Sequence, residues 1–138
     1  MNNVTLGRAA HDDIVSHARE TAPAECCGLV IGYKASGGGA ITEAVRTRNL
    51  SADPNRFEIH PEDHIHVRRT ARSRGLEVLG FYHSHPRSPA TPSATDVAEA
   101  SYPGHLYVIV SPSVEPAEVR IYRLEANTFR EVAWQLDR

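Results

Sequence analysis

The segment Gly80-Phe81-Tyr82-His83-Ser84-His85-Pro86, followed by Pro92-Ser93-Ala94-Thr95-Asp96, concentrates the side chains best suited to chemistry in this chain. Leu76 to Phe81 reads as a buried strand, because Val78, Leu79 and Phe81 are apolar and β-prone. If the strand continues through His85, its side chains alternate faces. His83 and His85 then project from one side and can converge on a single ion. A loop with three prolines follows, and order resumes at Ser93. A Ser with an acid three residues on is a helix N-terminus, which places Asp96 in the first turn. Folded back over the strand end, that turn offers Asp96 as a third ligand. Two His and one carboxylate with a fourth position open is a catalytic zinc arrangement, since structural zinc sites fill all four positions with protein.

Each feature alone has a commoner explanation. A strand histidine is more often a packed or surface residue, and Ser-x-x-Asp is more often only a cap. The conjunction His-x-His-x7-Ser-x2-Asp at the end of a buried strand is what is specific. It resembles the zinc motif of the JAMM (MPN-plus) metalloproteases, with a match at His83, His85, Ser93 and Asp96 and with Pro86 after the second His. That family also uses a glutamate from an earlier strand. Here Glu25-Cys26-Cys27-Gly28-Leu29 resembles its Glu-x-Cys-Gly-Leu segment, at the head of the apolar run to Ile31. As a plain sequence feature, Glu25 is equally a solvated acid at a strand end, although the adjacent core run holds it close to the sheet.

The resemblance covers nearly the whole chain. It implies a Zn2+ bound by His83, His85 and Asp96, with Glu25 as general base and Ser93 as donor to the oxyanion. It implies hydrolysis of the amide or isopeptide bond after the C-terminal glycine of a ubiquitin-like protein. The connections Asn49–Pro61 and Asp96–His105 are short, so the chain is similar to the minimal prokaryotic form, including the hydrolase that frees cysteine from a sulfur-carrier protein. The partner implied is a small ubiquitin-like or sulfur-carrier protein with a Gly-Gly tail. The alternative is a non-catalytic MPN-type interaction module, which is disfavoured because all five positions are kept. No His-Glu-x-x-His helix and no Pro-Cys-x-x-Cys element of the related deaminases is present.

The elements that must position these residues follow from periodicity. At 138 residues the chain is expected to be one domain, 1–138. Val4 to Leu6 is a short strand. Arg8 to Thr21 is a helix with Ala10, Ile14, Ala18 and Ala22 at helical spacing and Pro23 as its stop. Cys26 to Tyr33 is a strand buried on both faces. A turn at Ser36-Gly37-Gly38-Gly39 returns a strand from Ala40 to Asn49, and Arg56 to His60 is a further short strand. Pro61 opens a helix that runs to about Arg74 and is capped by Gly75. His60, His64 and His66 do not share a face, and the basic run of Arg68, Arg69, Arg72 and Arg74 reads as a solvated face. A helix over Ser93–Ser101 and strands His105–Ser111, Val119–Leu124 and Phe129–Leu136 complete an α/β domain: a single mixed β-sheet flanked by helices. The resemblance adds that this is the JAMM/MPN, cytidine-deaminase-like, architecture.

Composition closes off other classes. A formal net charge of −2 gives no general attraction to nucleic acid or to an anionic membrane, and no apolar run approaches spanning length. The two cysteines, Cys26 and Cys27, are adjacent and offer no disulfide framework, so a reducing, cytoplasmic compartment is expected. Cys27 is read as an inert buried thiol. Cys26, on the opposite face, is placed where it could approach the cleft. The oligomeric state is left open, with a homodimer among the options.

Overall fold

A computed structural model describes residues 3–35 and 38–138. Ser36 and Gly37, half of the expected glycine-rich turn, lie outside them. Eight strands form one sheet in the order β7-β6-β5-β4-β2-β3-β1-β8. They are β1 (Val4–Gly7), β2 (Cys27–Ala35), β3 (Gly38–Thr47), β4 (Glu77–Ser84), β5 (Leu106–Ser111), β6 (Glu118–Glu125), β7 (Thr128–Val132) and β8 (Trp134–Asp137). The sheet is mixed: β4 and β5 run parallel, as do β1 with β3 and with β8, while the other pairs are antiparallel.

Alternation along the strands divides the core into two faces. Helix α1 (Arg8–Thr21) turns Ala10, Ile14, Val15 and Ala18 onto one face, against Val30, Ile41, Tyr82, Val108 and Ile121. Complete burial of an Ile or Val side chain is worth about 1.5–3 kcal/mol, so this stripe, rather than any cap, holds α1. His17 Nδ1 meets Tyr82 Oη at 2.7 Å, which pins the helix to β4. Helix α2 (Pro61–Ser73) covers the other face, where Val67 and Ala71 meet Leu29, Ile31, Phe81 and Tyr107. Its start has Pro61 in the first turn and His60 Nδ1 accepting from the Glu62 amide. At its end Gly75 has φ 73°, and the Gly75 and Leu76 amides donate to the Arg72 and Ala71 carbonyls, a Schellman closure. Helix α3 (Ala94–Glu99) is shorter than the expected Ser93–Ser101.

Two expected strands differ. Arg56–His60 makes only an isolated bridge, Asn49 to Ile59, closed by the Leu50 amide on the Glu58 carbonyl and the His60 amide on the Arg48 carbonyl, and bonds from the Asn49 side chain hold the rest of the segment. The expected strand Phe129–Leu136 breaks at Ala133. β7 continues the hairpin from β6, through Ala126 and Asn127 at positive φ, whereas β8 pairs with β1 on the opposite edge. Two edges separated by one residue require a strongly curled sheet. Accordingly the Val4 amide donates to Ala133 and the Trp134 indole donates to the Val119 carbonyl at 3.2 Å.

Candidate active site

The face of β4 that carries Phe81 also carries His83, and His85 follows just beyond the strand. The two imidazoles are 2 % and 5 % exposed. Ser93 is the N-cap of α3 and forms a reciprocal capping box with Asp96: Ser93 Oγ accepts from the Asp96 amide, and Asp96 Oδ2 accepts from the Ser93 amide, both at 3.0 Å. The cap therefore fixes the carboxylate as well as starting the helix. Its Oδ2 lies 3.1 Å from His83 Nε2 and 3.0 Å from His85 Nε2, and the two Nε2 atoms are 3.2 Å apart.

If both imidazoles donate to Asp96 Oδ2, no proton is left to bridge the two Nε2 atoms, so protons cannot serve all three sides of the triangle at once. A tetrahedral ion ~2.0–2.1 Å from each donor asks for donors about 3.3 Å apart, which is close to what is seen. The donor set fits a metal ion. His85 Nδ1 lies 2.9 Å from the Pro89 carbonyl, which can only accept, so Nδ1 carries a proton and Nε2 is the atom left for a ligand bond. With protons in place of an ion, burial pushes His83 down. At His85 burial pushes down as well, but the hydrogen bonds the ring donates to Asp96 and Pro89 outweigh it and push it up. Asp96 is held far below the usual carboxylate range: its burial is overcome by the bonds from both imidazoles.

Glu25 reaches this site through strand register. Cys27 pairs with His83, and the Ser84 amide donates to the Cys26 carbonyl, so Glu25 falls across from His85 on the same face. It is 8 % exposed, and its Oε1 is buried without a hydrogen-bond partner. Burial, opposed by His85 and reinforced by Asp96 and Asp53, pushes its carboxyl up to about 7. Its main chain is held by the segment before α2: the Glu25 amide donates to Pro54 and Asn49 Nδ2 donates to the Glu25 carbonyl. Asn49 also accepts the Ser51 and Glu58 amides, so one side chain orders the whole bank. Phe57 on that bank stacks on His83 at 4.3 Å. Neither Asn49 nor Phe57 belongs to a spacing pattern that would single it out in the sequence.

A cleft of about 800 Å³ opens onto His83 and Asp96, walled by Phe57, Phe81, Tyr102 and Phe129. Cys27 is the buried thiol expected, whereas Cys26 does not approach the cleft. Cys26 points into the core below α1, and Cys27, on the cleft face, is tucked against Thr47 and the Arg48 carbonyl. Burial pushes both thiols up to about 11, which suits neither to nucleophilic attack. Of the basic run on α2, Arg68 is half-buried rather than solvated.

The model of prokaryotic homologs of the JAB domain matches residues 7–125, a span that takes in Glu25, both histidines, Ser93 and Asp96. The chain belongs to this family. The prokaryotic JAB-domain protein is 37% identical over 137 residues to a desampylase of Haloferax volcanii, covering 96% of this chain and 95% of that one. It is 30% identical over 112 residues to a CysO-cysteine peptidase of Mycobacterium tuberculosis, covering 80% and 75%. The solution structure of a Desulfitobacterium hafniense protein superposes with a TM-score of 0.90 at 27% identity, over 97% of this chain and 92% of that one. The JAMM/MPN resemblance and the mixed sheet with flanking helices are thus both found.

Proposed function

We propose that this JAB-domain protein is a zinc-dependent hydrolase that cleaves the amide or isopeptide bond after the C-terminal glycine of a small ubiquitin-like or sulfur-carrier protein. The observation that carries this reading is the donor triangle of His83, His85 and Asp96 beside the unpartnered Glu25 Oε1. The names of the desampylase and CysO-cysteine peptidase relatives support the substrate class. The three residues would hold Zn2+, which supplies a Lewis acid that polarises a carbonyl and makes water acidic near neutral pH.

The chain's own groups do the rest. Glu25, the unpartnered carboxyl beside the donor triangle, takes a proton from the attacking water and returns it to the leaving amine as the C–N bond breaks. Ser93 Oγ accepts from the Asp96 amide, so its own hydroxyl proton is free to donate to the oxyanion. The cleft receives an extended tail as an added strand, and glycine is the residue that tolerates close backbone approach there. Residues 1–138 act as one domain, and the cytoplasm is the compartment that suits two unpaired thiols. Among the described residues, no helix is long and apolar enough to cross a membrane.

The test offers the zinc-loaded protein a small sulfur-carrier protein extended by one residue past its Gly-Gly tail, with intact mass as readout. Release of the single residue is expected, and slower release when the penultimate Gly is changed to Ala. Zinc-loaded protein that binds the partner without cleaving it would make the chain an interaction module instead. Equal cleavage of both substrates would remove the narrow groove.

A further inference from the structure

The loop that carries the site from His85 to Ser93 contains Pro86, Pro89 and Pro92, and so has few amides to anchor it. Side chains of β5 and β6 hold it instead. Ser111 Oγ donates to the Ser88 carbonyl at 2.6 Å, and Tyr122 Oη donates to the Ala90 carbonyl at 3.0 Å. Glu118 Oε1 accepts the Ala90 amide at 2.9 Å, while its Oε2 accepts from Arg120 Nε at 2.9 Å, which fixes the carboxylate. Ala90 is fully buried with Ile109 and Tyr122.

The Ala90 amide and the Pro89 carbonyl belong to one planar peptide group. Its N–H end points at the Glu118 carboxylate, and its C=O end accepts from His85 Nδ1 at 2.9 Å. An anion at the amide end polarises the peptide and makes the carbonyl a stronger acceptor, because chained hydrogen bonds reinforce one another. That strengthens the Nδ1–H bond and raises the basicity of Nε2, the atom in the donor triangle.

We propose that Glu118 is a positioning residue for the metal site, acting on His85 through the Pro89–Ala90 peptide, with Tyr122 holding the other side of Ala90. It is a carboxylate–histidine pair with a peptide group inserted between its members. The inference rests on the metal-site reading above. Nothing in the chain's local pattern signals it, since Glu118 lies on a strand remote in sequence from His85.

The test measures zinc affinity by chelator competition and the visible spectrum of the Co2+-substituted protein, alongside the melting temperature of the metal-free protein. The variants are Glu118→Gln, Glu118→Ala and Tyr122→Phe. Outer partners of metal-bound histidines are typically worth ~10–100-fold in affinity. Glu118→Ala is expected to weaken zinc binding within that range and to shift the Co2+ spectrum. Glu118→Gln keeps an acceptor for the Ala90 amide but not the charge, and should fall between alanine and wild type. Tyr122→Phe tests the clamp alone and should weaken binding least. Folded Glu118→Ala with wild-type zinc affinity and an unchanged Co2+ spectrum would overturn the proposal, even if its melting temperature fell. Equal losses for Gln and Ala would remove the charge relay. A wild type that binds no zinc would overturn the metal-site reading, and this proposal with it.

Discussion

Two pairs of imidazoles lie along one face of the sheet, and each pair converges on a third side chain. His83 and His85 converge on Asp96. His64 and His105 converge on Arg68, whose Nε donates to His64 Nε2 at 2.7 Å and whose Nη2 lies 3.2 Å from His105 Nε2. Phe81 separates them, edge-on to His64 and stacked on His105, two residues before His83 on β4. The pairs differ in the charge of what they share. A guanidinium occupies the second pair's lone pairs with its own protons and repels any other cation. Burial, with Arg68 adding to it, pushes both of those imidazoles down. The first pair shares an anion, so a cation between them is attracted by every group it meets. Histidine count does not make a metal site; the charge of the common partner does.

The largest expected effect breaks the first cluster. Asp96→Asn keeps a cap on α3 but removes the charge, and should reduce zinc content from one per chain to nearly none, read by metal analysis after dialysis. Equal zinc in both proteins would take Asp96 out of the ligand set. The next separates binding from chemistry. Glu25→Gln should keep zinc while hydrolysis falls about 10²–10⁴-fold, the usual contribution of a general base, measured under saturating substrate.

A third prediction uses pH. The Glu25 carboxyl is raised from 4.5 to about 7, so the folded metal-free protein favours the protonated acid more than the unfolded chain does. Its stability is then full below pH 4.5 and is lost as pH rises towards 7, by up to roughly 3 kcal/mol for one such group. Metal-free Glu25→Gln should lack that loss, as read by denaturant melts at pH 5 and pH 8. Zinc should abolish the difference by stabilising the anion. Parallel pH profiles for the two proteins would place the carboxyl in a wetter setting. The smallest effect concerns the second cluster. Arg68→Ala should leave zinc at one per chain, raise both His64 and His105 in an NMR titration, and cost about 0.5–1 kcal/mol through the lost contact with the Tyr102 ring. A second zinc gained by this variant would mean that charge alone had been keeping the metal out.

How much of this was legible in the sequence depends on distance along the chain. His83 and His85 share a face because strand side chains alternate, and Ser93 with Asp96 makes a cap because both lie in one helical turn. Those are rules about near neighbours, so spacing alone reveals them. The same rules locate α1 by its stripe and the end of α2 by Gly75. They stop where partners are remote. Glu25 was singled out by family resemblance, but its place across from His85 exists only because β2 and β4 pair in one antiparallel register. The alternation from Phe129 to Leu136 is continuous in sequence, and only the curl of the sheet sends the two halves to opposite edges at Ala133. Arg68 looked like one more residue of a solvated basic face until folding brought His105 and Tyr102 to it. The sequence by itself determined which residues could bind a metal, because that depends on residue type and local dihedral geometry. Only the tertiary structure decided which carboxylate would stand beside them and which histidines would meet a guanidinium instead, because burial and charge at a site are set by whatever the remote strands bring there.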